Sequence, residues 1–161
     1  MNDRIAFQDR EIPLEYAIPA RRQSPFVNPL EDVALEESVL SSMMDGRKVT
    51  SLSAEHFTSD LRADVYELLR SGTDYASLDD WLAAKGYDAG ERAYLTDIYL
   101  TPNLPHAPLI EAVAELKRLA VVRRLCEAVD TWRERAPHMT HDKALRELGK
   151  AIRGEGAYAK G

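Results

Sequence analysis

With a single cysteine, Cys126, the 161-residue chain has no internal disulfide to staple it, so its fold must rest on a packed core. Cys126 lies in an apolar helical pattern, which predicts a buried, reduced thiol. No apolar run approaches the ~20 residues that span a bilayer as a helix. The N-terminus has no apolar core between charged flanks, so no secretory leader is expected and the chain reads as cytoplasmic. No stretch alternates polar and apolar residues as a half-buried strand would. The phosphate-cradling pattern G-x-x-x-x-G-K-[ST] is also missing. Gly149-Lys150 is the only GK pair, and Ala144 and Ala151 stand where the first glycine and the hydroxyl should be.

Apolar residues make up 45% of the chain and charged residues 30%, which suits one ordinary domain with an appended arm or hairpin. The net charge of −6 is unevenly spread. Residues 1–29 are neutral, residues 30–100 carry fifteen acids against six bases, and residues 101–161 carry eight acids against eleven bases. The acidic stretch is unsuited to lying along a phosphate backbone, which needs lysine and arginine to displace counterions. Direct DNA binding is therefore expected to be weak or absent.

Residues 1–28 hold Pro13, Pro19 and Pro25 among scattered apolar residues and read as a flexible arm. Ile12-Pro13-Leu14-Glu15-Tyr16 is a candidate docking segment within it. From Leu30, apolar residues recur at helical spacing through Val33, Leu35, Val39, Leu40, Met43 and Met44, with Glu31 and Asp32 expected in the first turn and Asp45-Gly46 as the stop. Ser53-Ala54-Glu55-His56-Phe57 reads as a short turn before a helix at Leu61–Leu69. Ser77 is expected to cap Leu78–Lys85, with Asp79 and Asp80 in its first turn, Trp81 and Leu82 inside and Gly86 at its end. Gly90–Tyr99 follows, with Tyr94 also expected in the core. Thr101–Pro108 contains three prolines and reads as a rigid connector.

Leu109–Ala136 has no glycine or proline over 28 residues, enough for a helix of roughly 42 Å. Its apolar stripe is wider than one packing surface requires. Pro137 breaks it, and Thr140 is expected to cap a shorter helix reaching Arg153, with Ala144, Leu145, Leu148 and Ile152 facing one way. The two helices read as an antiparallel hairpin. The fold class is all-α: a compact helical head at 29–104, a hairpin at 105–153 and a frayed tail at 154–161.

Residues with chemistry do not form a recognisable catalytic set. His138 and His141, beside Asp142, fall short of the four donors that a zinc site gathers. Glu36 and Glu37 are adjacent on a helix and point apart, while Asp60, Asp64, Asp79 and Asp80 read as caps and solvated faces. No serine sits in a strained-turn context such as G-x-S-x-G. Neither an enzyme nor a metal or cofactor site is expected. Lys117, Arg118, Arg123, Arg124, Arg133 and Arg135 form a basic band along the long helix. It reads either as a solvated face paired with Glu111, Glu115, Glu127 and Glu134 or as a contact for an acidic protein partner. It lacks the interleaved aromatics of a single-strand platform.

The order of these features resembles the N-terminal domain of DnaB-type replicative DNA helicases. Leu30-Glu31-Asp32-Val33-Ala34-Leu35-Glu36-Glu37-Ser38-Val39-Leu40 is similar to that domain's opening helix. Ser53–Phe57 with Arg62-Ala63-Asp64-Val65-Tyr66, Leu78–Gly86, Tyr94-Leu95-Thr96-Asp97-Ile98, and Val113-Ala114-Glu115 with Arg123-Arg124-Leu125 follow in the same order. No one of these motifs is specific; their ordered set, spanning residues 28–135, carries the likeness. The chain departs at Ser41 and Leu61, where that domain usually has glycine and histidine.

The resemblance implies a head plus a helical hairpin that self-associates into a collar and docks helicase, primase or a helicase loader, in a bacterial or phage-infected cell. It implies no catalytic residues; unwinding belongs to an ATPase domain. The expected self-association or partner surface is Leu116, Lys117, Leu119, Val122, Arg123, Arg124, Cys126, Val129 and Trp132. Two alternatives are a helicase-binding domain like the C-terminus of bacterial primases, which shares the plan, and a small DNA-binding regulator using the basic half.

Overall fold

The computed structural model describes residues 30–154. The Pro-containing arm, with its candidate docking segment, and all of the tail except Gly154 lie outside the described residues. Six α-helices hold most of the described residues: α1 (Val33–Met44), α2 (Asp60–Arg70), α3 (Tyr75–Lys85), α4 (Ala89–Leu100), α5 (His106–Arg135) and α6 (His141–Arg153). Short 3-10 turns at Ala54–His56 and Ala136–His138 precede α2 and α6. There is no strand among the described residues, so the fold is all-α. None of these helices is long and apolar enough to cross a membrane.

Asp32 caps α1 instead of occupying its first turn, its carboxylate accepting the Leu35 N–H at 3.0 Å. Gly46 ends the helix with φ at 92°, a conformation that a Cβ would strain. The Gly46 and Arg47 N–H groups then return to the Met43 and Ser42 carbonyls, satisfying the last orphan acceptors of the helix. On α3 the cap is Asp74, which accepts from Ser77 N at 2.9 Å. Ser77 is therefore inside the helix, and Asp79 and Asp80 lie beyond its first turn. The earlier start brings Tyr75 into the helix, where its ring stacks on Tyr99 with centroids 4.4 Å apart. Pro108 stands within the first turn of α5 and not in the connector. The N–H groups of that turn have no helical partner, so a missing one costs nothing.

One apolar core joins α1–α4 to the first half of α5. Val39 and Leu40, Val65 and Tyr66, Leu78 and Leu82, Leu95 and Ile98, and Leu109, Ala112 and Leu116 all contribute to it. The irregular stretch after α1 adds Val49, Leu52 and Phe57, and Tyr66 fastens it by donating its hydroxyl proton to the Leu52 carbonyl at 2.9 Å. Trp81, expected inside, is 55% exposed. Neighbouring helical residues are ~100° apart, so Leu78 and Leu82 on the core side leave Trp81 facing outward. Cys126 is likewise exposed, not buried.

Buried hydroxyls fix how α5 departs from this core. Ser41 donates to the Thr101 carbonyl at 2.7 Å, and Ser42 accepts the Leu104 N–H at 2.9 Å while donating to Ser38 O. The connector is thereby tied to the last turn of α1. Beyond Ala120 no residue of α5 is buried, and α6 buries none of its 13 residues. Trp132 donates its indole N–H to the Ala144 carbonyl at 2.8 Å. Ala151 and Ile152 lie beside Leu125 and Ala128, so α6 packs on the distal half of α5.

Candidate interaction surface

The expected surface on α5 is divided between three environments. Leu116 is fully buried and Leu119 almost so; their stripe is already taken up by the chain itself, so neither faces a partner. Lys117 is half-buried at their edge.

Arg123 and Arg124 belong to the second environment, a clasp on other segments of the chain. Arg123 donates to the Leu30 carbonyl at 2.9 Å and to the Glu55 and His56 carbonyls at 3.2 Å each. The planar guanidinium fork reaches all three carbonyls from one side chain. Arg124 reaches the Glu55 carboxylate at 3.6 Å. These two residues lock α5 to the start of α1 and to the turn before α2. Two others of the band pair locally, Arg118 with Glu115 at 2.6 Å and Arg133 with Asp130 at 3.5 Å. Through that hydrogen bond Arg118 holds the Glu115 carboxyl below its ordinary range.

The third environment is the outer face shared by distal α5 and α6. Val122, Val129 and Trp132 are half-buried and Cys126 is exposed. Three residues outside the expected set join them: Val121 at 46% exposure, Leu145 at 55% and Ile152 at 58%. Two hollows of about 240 and 190 Å³ flank the end of α6, lined by Trp132, Met139 and Ala151 on one side and by Val121, Leu125 and Ile152 on the other. The helical spacing of Leu145 and Ile152 was a usable signal for this face. Val121 gave none, because in a continuous apolar stripe its neighbour Val122 is equally plausible.

The densest group of ionisable side chains lies elsewhere, between α1, α2 and α4. The Glu36 carboxylate is completely buried, 2.6 Å from Arg62 Nε, and accepts from the Thr58 N–H and hydroxyl at 3.1 and 2.8 Å. Arg62 also donates to Thr58 Oγ1 at 2.9 Å, and Tyr94 donates to Glu37. Glu36 and Glu37 enter one network, since Arg62 donates to Glu36 and, at 3.4 Å, to the Tyr94 hydroxyl that donates to Glu37. Burial works to lower the Arg62 pKa, but the hydrogen bond and charge of Glu36 outweigh it and leave it above its ordinary value. Burial, reinforced by the bond to Glu37, pushes Tyr94 up to about 12. Each charge is engaged by protein groups, so the network holds helices together.

Two other acids expected on solvated faces are engaged as well. Asp64 pairs with Lys85 at 3.0 Å and accepts from Tyr87 at 2.8 Å, while Asp79 accepts from Arg92 at 2.9 Å. His138 and His141 are exposed, and no three metal-type donors converge among the described residues. Comparison with protein-family models, curated proteins and solved structures gives no match.

Proposed function

We propose that the chain is a protein-interaction module of DNA replication, of the helicase N-terminal collar type, built as a helical head with a helical hairpin. It acts by self-association through the outer face of α5 and α6 and by docking helicase, primase or a loader. The observation that carries this reading is the uncovered apolar face: α6 buries none of its residues, and Leu145 and Ile152 are each more than half exposed. Apolar side chains grouped on one face mark an association surface. The ordered likeness to the helicase domain supplies the replication context.

The experiment is sedimentation velocity of the purified chain over a range of concentrations, beside the double variant Leu145→Asp/Ile152→Asp. The expected outcome is a dimer or higher oligomer for the parent and a monomer of unchanged helicity for the variant. A parent chain that stays monomeric at every concentration sinks the self-association reading. Parent and variant with the same oligomeric state place the contact elsewhere and sink the assignment to α6.

A further inference from the structure

The loop leaving α1 and the first turns of α5 line a third hollow, of about 460 Å³. Leu109, Val113 and Val49 give it an apolar lining together with Ile110, which is 58% exposed. Arg47, Lys48 and His106 line it as well, and no carboxylate does. This basic spot sits on an acidic stretch, since residues 30–100 hold fifteen acids and six bases. Four of those six bases, Arg62, Arg70, Lys85 and Arg92, are each paired with a carboxylate. The other two, Arg47 and Lys48, have no ion pair among the described residues, and both line the same hollow.

We propose that this hollow docks an acidic segment of a partner protein, one that carries an aliphatic side chain beside its carboxylates. The aliphatic group covers Ile110 and Val113, removing apolar surface from water. The carboxylates meet Arg47 and Lys48. A nucleic-acid strand fits less well. The lining has no aromatic ring on which a base could stack. Ile110 precedes Val121 by eleven residues, roughly 16 Å along α5, so the site is distinct from the α5–α6 face. The proposal does not depend on self-association.

The test is fluorescence polarisation of the full chain with a labelled glutamate-rich peptide that carries two leucines at i and i+4. Binding is expected at low salt. The pair Arg47→Glu/Lys48→Glu and the single variant Ile110→Ser should each weaken it at least about fivefold. All three side chains are exposed, and circular dichroism checks that the variants keep their helicity. A peptide with serines in place of the leucines should lose a similar factor. Amide shifts in labelled protein should cluster on Gly46–Ser51 and Leu109–Val113. The proposal is overturned by absence of binding, by variants that bind as tightly as the parent, by shifts centred elsewhere, or by an oligonucleotide that outcompetes the peptide.

Discussion

Arg62 neutralises a fully buried carboxylate, so its removal strands a charge inside the fold. A buried ion pair contributes little over an apolar pair of the same shape, but breaking one partner strands the other. Arg62→Ala leaves Glu36 with only the Thr58 donors, and an expected loss of about 3–5 kcal/mol should appear as a lower urea midpoint. Tyr94 extends the same network to alkaline pH. Its folded pKa is raised from 10.0 to about 12, and so is that of Tyr87, where burial adds to the bond with Asp64. For a raised pKa the stabilisation is complete below 10 and disappears as pH rises through 12, because the unfolded chain loses its protons first. Thermal unfolding followed across that window should show a falling midpoint, with a shallower slope in Tyr94→Phe. A midpoint unchanged between pH 10 and 12 would refute this account of the two hydroxyls.

At the scale of elements, the helices were legible in the sequence and their surroundings were not. Apolar spacing, first-turn acids and glycine or proline stops place all six helices within a few residues, because those signals are local. The differences came where two neighbours competed for one role. Asp74 and Ser77 are both good caps, and the stacking of Tyr75 on Tyr99, a contact between distant residues, favours the earlier one. Trp81 and Leu82 are both apolar, and Leu82 shares the i, i+4 face with Leu78. Along α5 the stripe is continuous in sequence, yet the core consumes its first half and leaves the second open. Leu116→Ala should therefore cost about 2–5 kcal/mol. Leu145→Ala in dilute, monomeric protein should stay within about 0.5 kcal/mol. Paired denaturation curves test the division; equal losses would mean that α6 is as much part of the cooperative core as proximal α5.

At the scale of the whole molecule, two uncovered surfaces differ in what drives contact. The α5–α6 face presents Val121, Leu145 and Ile152, whereas the hollow lined by Arg47 and Lys48 carries positive charge on a chain of net −6. Between copies of such a chain the long-range force is repulsive, and salt screens it. Apolar association is not weakened by screening. Self-association is thus expected to hold or tighten between low salt and ~1 M sodium chloride, where the Debye length is only about 3 Å, while acidic-peptide binding at the hollow fades. Sedimentation equilibrium and peptide titration at both salt concentrations make the comparison. Oligomers that dissociate at high salt would assign the contact to ion pairs, and the clasp residues Arg123 and Arg124 would then need retesting as intermolecular donors. The same charge balance argues against DNA as a ligand: a duplex should keep its electrophoretic mobility in the presence of the chain even at low salt, since the acids that outnumber the bases between residues 30 and 100 oppose counterion release.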